Sequence, residues 1–142
     1  MSQILTVSKK RNAGAFSIKG HYYNNGNDAC FQPIPEIPPI VVEARMGNQL
    51  LITLNAPDTW CDKAGDGAWF AISVNDKIVG RGVYYCGKDG QRVPITVQAV
   101  IGATTEQRFI VKAMWCNENG TENRNCYIGE YSETTLTIVQ LD

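Results

Sequence analysis

Apolar side chains recur at every second position along much of this chain. Leu50, Ile52 and Leu54 keep that spacing, and so do Val93, Ile95, Val97, Ala99 and Ile101, separated by Pro94, Thr96, Gln98 and Val100. Phe109, Val111, Ala113 and Trp115 repeat it, as do Leu136 and Ile138 among threonines. A period of two puts alternate side chains on one face of an extended strand, so each segment has one face for a core. Residues 3–8, 14–19, 39–45, 67–74, 77–85 and 126–131 are further strand candidates, dominated by Val, Ile, Thr, Tyr and Trp. Turn chemistry separates them: Asn24 to Asp28, Gly47-Asn48, Gly65-Asp66-Gly67, Asn75-Asp76, Gly87-Lys88-Asp89-Gly90 and Gly102-Ala103. No amphipathic helix stands out. About ten short strands punctuated in this way predict a β-sandwich or barrel.

One segment breaks the pattern. Gln32 to Pro39 holds Pro33, Pro35, Pro38 and Pro39, so it is expected to be extended and unable to donate to a central ladder. The pattern predicts one domain over residues 1–142. Residues 1–38 would form N-terminal strands and a crossover along the outside, and residues 39–142 the sandwich. A polyproline ligand for a partner is the sharper reading of the crossover, and it requires Ile34 and Ile37 to be exposed.

Composition narrows the function classes. The 142 residues are 44% hydrophobic and 19% charged, which fits a folded chain with a sizeable core. Thirteen basic residues against fourteen acidic ones give a net charge of -1. No basic stripe suggests nucleic acid, and Lys9-Lys10-Arg11 reads as a solvated turn. No apolar run approaches a membrane span, and the first residues lack the basic start of a secretory signal. The expected location is the cytoplasm, or outside the cell by another export route.

The five cysteines are Cys30, Cys61, Cys86, Cys116 and Cys126, with no Cys-x-x-Cys pair and a single histidine, so zinc has little support. Cys116 and Cys126 bracket a polar loop, Asn117 to Asn125, that a disulfide could close. Cys61 and Cys86 follow predicted strands and could pair as well, or all five could remain thiols. His21 has no serine or cysteine beside it that would make a nucleophile, and reads as a surface or packing residue. Asp58, Asp62 and Asp66 lack the alternating ligands of a calcium loop. Asn119-Gly120-Thr121 fits the glycosylation pattern, which carries little weight without a secretory signal. No cofactor or metal is expected.

The stretch from Asn55 to Ile101 carries the chemistry. Trp60 follows Pro57-Asp58-Thr59 at a strand end, where a core residue would be unusual. Tyr84 and Tyr85 are consecutive, so on a strand only one can face the core. Arg92 begins a strand after the Gly87 to Gln91 turn, near Tyr85 in sequence. Taken singly, Trp69 and Tyr84 fit a core and Arg92 a surface ion pair. Together these rings, the guanidinium and the short polar residues suit a sugar: flat apolar faces for its C–H side and directional donors for its hydroxyls.

Four stretches carry a family resemblance from about Gly47 to Val139: Leu51 to Pro57, Gly67 to Ile72, Arg92 to Thr96 and Val111 to Trp115. With them the chain resembles the TNF-like, fucose-binding N-terminal domain of bacterial two-domain superlectins. The resemblance implies an all-β, TNF-like jelly-roll β-sandwich that assembles as a homotrimer and binds fucosides at clefts between subunits. Trp60 and Trp69 match two tyrosines lining that family's site, Tyr85 a sugar-contacting threonine and Cys86 a tyrosine beside it. Asp89 matches a hydrogen-bonding serine and Arg92 the sugar-binding arginine. Arg124 and Glu130 correspond to a later arginine and acid. The implied function is a non-enzymatic lectin for fucosylated or related glycans, with Trp60, Trp69, Tyr84, Tyr85, Asp89, Arg92, Arg124 and Glu130 as its sugar-binding residues. The alternative is a structural or receptor-binding jelly-roll trimer, such as a phage fibre tip or a C1q/TNF-like assembly domain.

Overall fold

The structure, a computed structural model, describes residues 2–9, 22–23, 28–118 and 126–141. The expected strand at 14–19, the turn at 24–27, His21 and the 119–125 loop with Arg124 lie outside the described residues. The strands are β1 (Ser2–Lys9), β2 (Tyr22–Tyr23), β3 (Gln32–Pro33), β4 (Ile40–Ala44), β5 (Gln49–Cys61) and β6 (Gly67–Val74). They continue as β7 (Lys77–Tyr85), β8 (Arg92–Gly102), β9 (Gln107–Glu118), β10 (Cys126–Ile128) and β11 (Thr135–Leu141), with one 3₁₀ turn at Asp28–Cys30.

Pairing is nested. β6 pairs with β7, β5 with β8, β4 with β9 and β1 with β11, all antiparallel. Each outer pair encloses the one before it, as though one long hairpin had been wound up. Cross-pairings of β11 with β5 and of β6 with β9 then assemble two sheets. Sheet A holds β1, β11, β10, β5 and β8; sheet B holds β2, β3, β4, β9, β6 and β7. This is a jelly-roll β-sandwich, the fold class that the alternating pattern and the resemblance led to.

The alternation does what it predicts. Leu50, Ile52, Leu54 and Ala56 of β5 point into the core with Val97 of β8 and Leu136 and Ile138 of β11. They meet Phe70, Ile72, Val111 and Trp115 of sheet B. β10 is shorter than the expected 126–131, because Gly129 adopts φ 76° and turns the chain out of the ladder.

The proline-rich crossover differs from expectation. Phe31, Ile34, Ile37 and Ile40 are all buried, one residue in three, while the prolines between them face out. A turn makes this possible: Glu36 adopts φ 65° and the Ile37 N–H donates to the Ile34 carbonyl at 3.3 Å, so Ile34 and Ile37 enter the core on either side of it, while Phe31 packs against Ala71 and Cys116. Ile34 also donates its backbone N–H to Ala113 at 2.9 Å. The segment is therefore part of the sandwich wall, and its isoleucines are unavailable to a proline-recognising partner.

The cysteine pairing differs too. Cys61 and Cys126 sit directly opposite each other on β5 and β10 and form a disulfide, with Cα atoms 4.2 Å apart. Neither the Cys116–Cys126 nor the Cys61–Cys86 pairing occurs. The Cys86 thiol instead donates to the Lys88 carbonyl at 2.9 Å. Closing a loop of 65 residues stabilises the fold by about 4 kcal/mol in the chain-entropy picture.

The two sheets come closest along β7 and β8. A Cβ at Gly82 would lie 2.9 Å from Cγ2 of Val97, a stiff and buried side chain. Gly82→Ala is expected to cost about 1–3 kcal/mol in urea unfolding, the range for overpacking. Gly102→Ala, whose Cβ meets nothing within 4 Å, is expected to leave the unfolding midpoint in place.

Candidate functional site

A β-bulge builds the site. Ala56 pairs with Ile95 and Thr59 with Val93, so Pro57 and Asp58 together oppose Pro94 alone. The Thr59 hydroxyl closes the bulge by donating to the Ala56 carbonyl at 2.9 Å. The extra residue reverses which side chains face in. Before it the even-numbered residues of β5 are buried; after it Thr59 and Cys61 are. Asp58 and Trp60 are thereby turned to the outer face of sheet A, and Cys61 is turned inward to Cys126.

On that face Trp60 lies between two cross-strand partners, Tyr127 of β10 and Arg92 of β8. The Trp60 and Tyr127 rings stack with centroids 4.3 Å apart. The Arg92 guanidinium lies over Trp60 at 5.0 Å and over Tyr131 at 4.4 Å. The result is a row of flat groups, Tyr127, Trp60, Arg92 and Tyr131, held by cation–π attraction as well as by area. Tyr127 anchors its far end by donating its hydroxyl to Asp62 at 2.8 Å.

Two carboxylates orient the guanidinium. Arg92 Nη1 donates to Asp58 Oδ1 at 2.5 Å and Nη2 to Glu130 Oε2 at 2.7 Å. Burial disfavours the arginine's charge, but these hydrogen bonds and charges outweigh it, so its pKa is raised above the ordinary value. Asp58 is buried, and its second oxygen accepts the Tyr131 backbone N–H at 2.5 Å. Its carbonyl accepts from Gly129 at 3.2 Å. One aspartate thus fixes both the arginine and the turn that carries Glu130 and Tyr131. Tyr131 itself is 68% exposed.

Of the residues expected from sequence, the structure brings Trp60, Arg92 and Glu130 together. Trp69 and Tyr85 point outward from sheet B, on the opposite side of the sandwich, with Val83 across from Trp69. Trp69 is half-buried against Phe31 and Cys116, while Tyr85 is 59% exposed. Tyr84 faces the core and donates its hydroxyl to the Gln91 carbonyl, and burial pushes its phenol pKa up. Asp89 accepts from the Ala64 N–H at 2.8 Å and faces Lys63 at 3.8 Å, tying two loops together. Arg124 lies outside the described residues.

Asp58, Asp62, Tyr127 and Tyr131 belong to the cluster and were not expected there. Pro57 within a strand-like run was the available signal, since proline inside a sheet marks a bulge or an edge. Among the described residues no group of three or more His, Cys, Asp or Glu side chains could hold a metal ion.

Arg92→Met keeps a long stem between the rings and leaves Asp58 buried without its cation. It is expected to cost about 2–4 kcal/mol in urea unfolding. Glu130→Gln, at a half-exposed pair, is expected to cost about 1 kcal/mol or less.

No family model matches the chain and no curated protein matches its sequence. Among solved structures it is similar to the Eiger TNF of S. frugiperda, with 10% identity and a TM-score of 0.47, over 99% of this chain and 94% of that one. It is also similar to dimeric latent PorU of Porphyromonas gingivalis, with 8% identity and a TM-score of 0.40, over 98% of this chain and 13% of that one.

Proposed function

We propose that this jelly roll is a non-enzymatic carbohydrate-binding module that takes fucosylated or related glycans at the row around Arg92. The observation that supports this reading is the guanidinium clamped between Trp60 and Tyr131 and oriented by Asp58 and Glu130. Its ion pairs occupy one N–H on each terminal nitrogen, which leaves three of the planar fork's five donors for directional bonds to vicinal hydroxyls. Glu130 supplies an acceptor at the same edge. The exposed Tyr131 ring offers the flat apolar face that a pyranose needs. A single such site binds weakly, because each sugar hydroxyl exchanges water for protein at small net gain.

In this reading the protein is a homotrimer, and avidity from three sites raises affinity for a glycan-bearing cell surface. The placement of Trp69 and Tyr85 supports the shared site. They leave sheet B at the end of the sandwich where Arg92 enters sheet A, but on the other face. A head-to-tail ring would bring the Tyr85 face of one copy against the Arg92 row of its neighbour. The Cys61–Cys126 disulfide fits an oxidising compartment.

A second reading, an assembly or receptor-binding trimer without sugar, is favoured by one observation. Val41 and Ile110 lie directly opposite each other on the outer face of sheet B, exposed at 54% and 38%. Such an apolar pair suits a protein contact.

A glycan array on the wild type and on Tyr131→Ala separates the two. Signal on fucosylated glycans that falls about tenfold or more in the variant, the effect of about 1.4 kcal/mol, supports the lectin. An array silent across all sugars supports the second reading. Light scattering is expected to give a trimer mass; a monodisperse monomer removes the shared site from either reading.

A further inference from the structure

The Cys30 and Cys116 sulfurs lie 2.7 Å apart, closer than unbonded sulfurs normally approach and beyond the roughly 2.05 Å of a disulfide. Cys30 ends the 3₁₀ turn that opens the proline-rich crossover, and Cys116 lies near the end of β9. The surrounding structure already holds them in place. Gln32 and Pro33 pair with Trp115 and Met114, and Phe31 packs beside Cys116 and Ala71. Arg81 Nε donates to Asp28 Oδ1 at 3.0 Å, which fixes the turn on its other side. We propose that Cys30 and Cys116 are a second disulfide site, closed by glutathione disulfide or an equivalent small disulfide. Closure clamps the crossover to β9.

The two sulfurs have different access, and this sets the order of steps. Cys30 is half-buried and Cys116 fully buried. The Cys30 thiolate attacks one sulfur of glutathione disulfide, forms the mixed disulfide and releases one glutathione thiolate, which takes up a proton. Cys116, already beside it, then attacks the Cys30 sulfur and releases the second glutathione. The protein loses two protons and two electrons, and one glutathione disulfide becomes two glutathione thiols.

The clamp has a defined mechanical effect. Cys61–Cys126 ties β10 to β5, and Cys30–Cys116 would tie β9 to the crossover. Both strands flanking residues 119–125 would then be bonded to other parts of the sandwich, and not to each other. The crossover also holds Ile34 and Ile37 in the core, so its local opening would be suppressed in the oxidised protein.

Each of the five cysteines falls in a different tryptic peptide, so pairing can be read directly. The full chain is equilibrated in glutathione buffers from reducing to oxidising, alkylated, digested without reduction and mapped by mass. The expected map at the oxidising end joins Cys30 to Cys116 and Cys61 to Cys126, with Cys86 alkylated. In Cys30→Ser, Cys116 becomes alkylated or carries glutathione, and Cys61–Cys126 remains. Alkyl or glutathione adducts on both Cys30 and Cys116 in the wild type, where Cys61–Cys126 is closed, overturn the proposal, as does Cys116 joined to Cys126. Cleavage after the exposed Glu36 by a glutamate-specific protease tests the clamp separately. It is expected to be slower by about tenfold in the oxidised wild type than in Cys30→Ser in the same buffer. Equal rates overturn the clamp.

Discussion

The buried carboxylate of Asp58 governs this end of the molecule. A charge out of water is costly unless it is paired and hydrogen-bonded, and Asp58 meets that demand with Arg92 and the Tyr131 N–H. Those two contacts decide where the guanidinium points and where the turn after β10 runs. The aromatic groups follow, since Trp60 and Tyr131 bracket a group that can no longer move. The bulge at Pro57–Asp58 puts the carboxylate there. The same extra residue sends Cys61 inward, so the site and the disulfide share one cause.

The arrangement separates two kinds of work within a few residues. Cys61, Cys126 and Ile128 continue the core between the sheets, while Tyr127 and Trp60, alternating with them, form the outward row. Burial on one face stabilises the strands that present the other. The row is also rigid by construction, because its members sit on paired strands and on a turn fixed by backbone hydrogen bonds. Rigidity matters for weak ligands, where freezing a loose side chain on binding would offset much of the interaction.

The fold was largely legible in the sequence. Period-two alternation points to β5, β8, β9 and β11, and strand-favouring composition to β1, β4, β6 and β7, to within a few residues, except that β5 runs on to Cys61, beyond Asn55-Ala56-Pro57. Consecutive Tyr84 and Tyr85 divided between core and solvent as strand geometry requires. The burial of the crossover is not legible because its apolar residues recur every three positions, which is neither the helical nor the strand period. The site was legible in part. Trp60, Arg92 and Glu130 came from position and resemblance. Asp58, Tyr127 and Tyr131 depend on the face reversal at the bulge and on strands far apart in sequence meeting side by side. The resemblance groups Trp69 with Arg92 and nearness along the chain groups Tyr85 with it, yet the chain changes sheets between Tyr85 and Arg92.

The nesting of the strand pairs also fixes an order in time. The pair β6–β7 is joined by a two-residue turn and can form as soon as both strands leave the ribosome, whereas Ser2 must wait for Leu141. Until the last strand is synthesised, β1 lacks β11, its ladder partner among the described residues, and the outer layers of the roll stand open. Such non-local closure is slow, and it leaves unpaired edges exposed for the longest interval at the start of the chain.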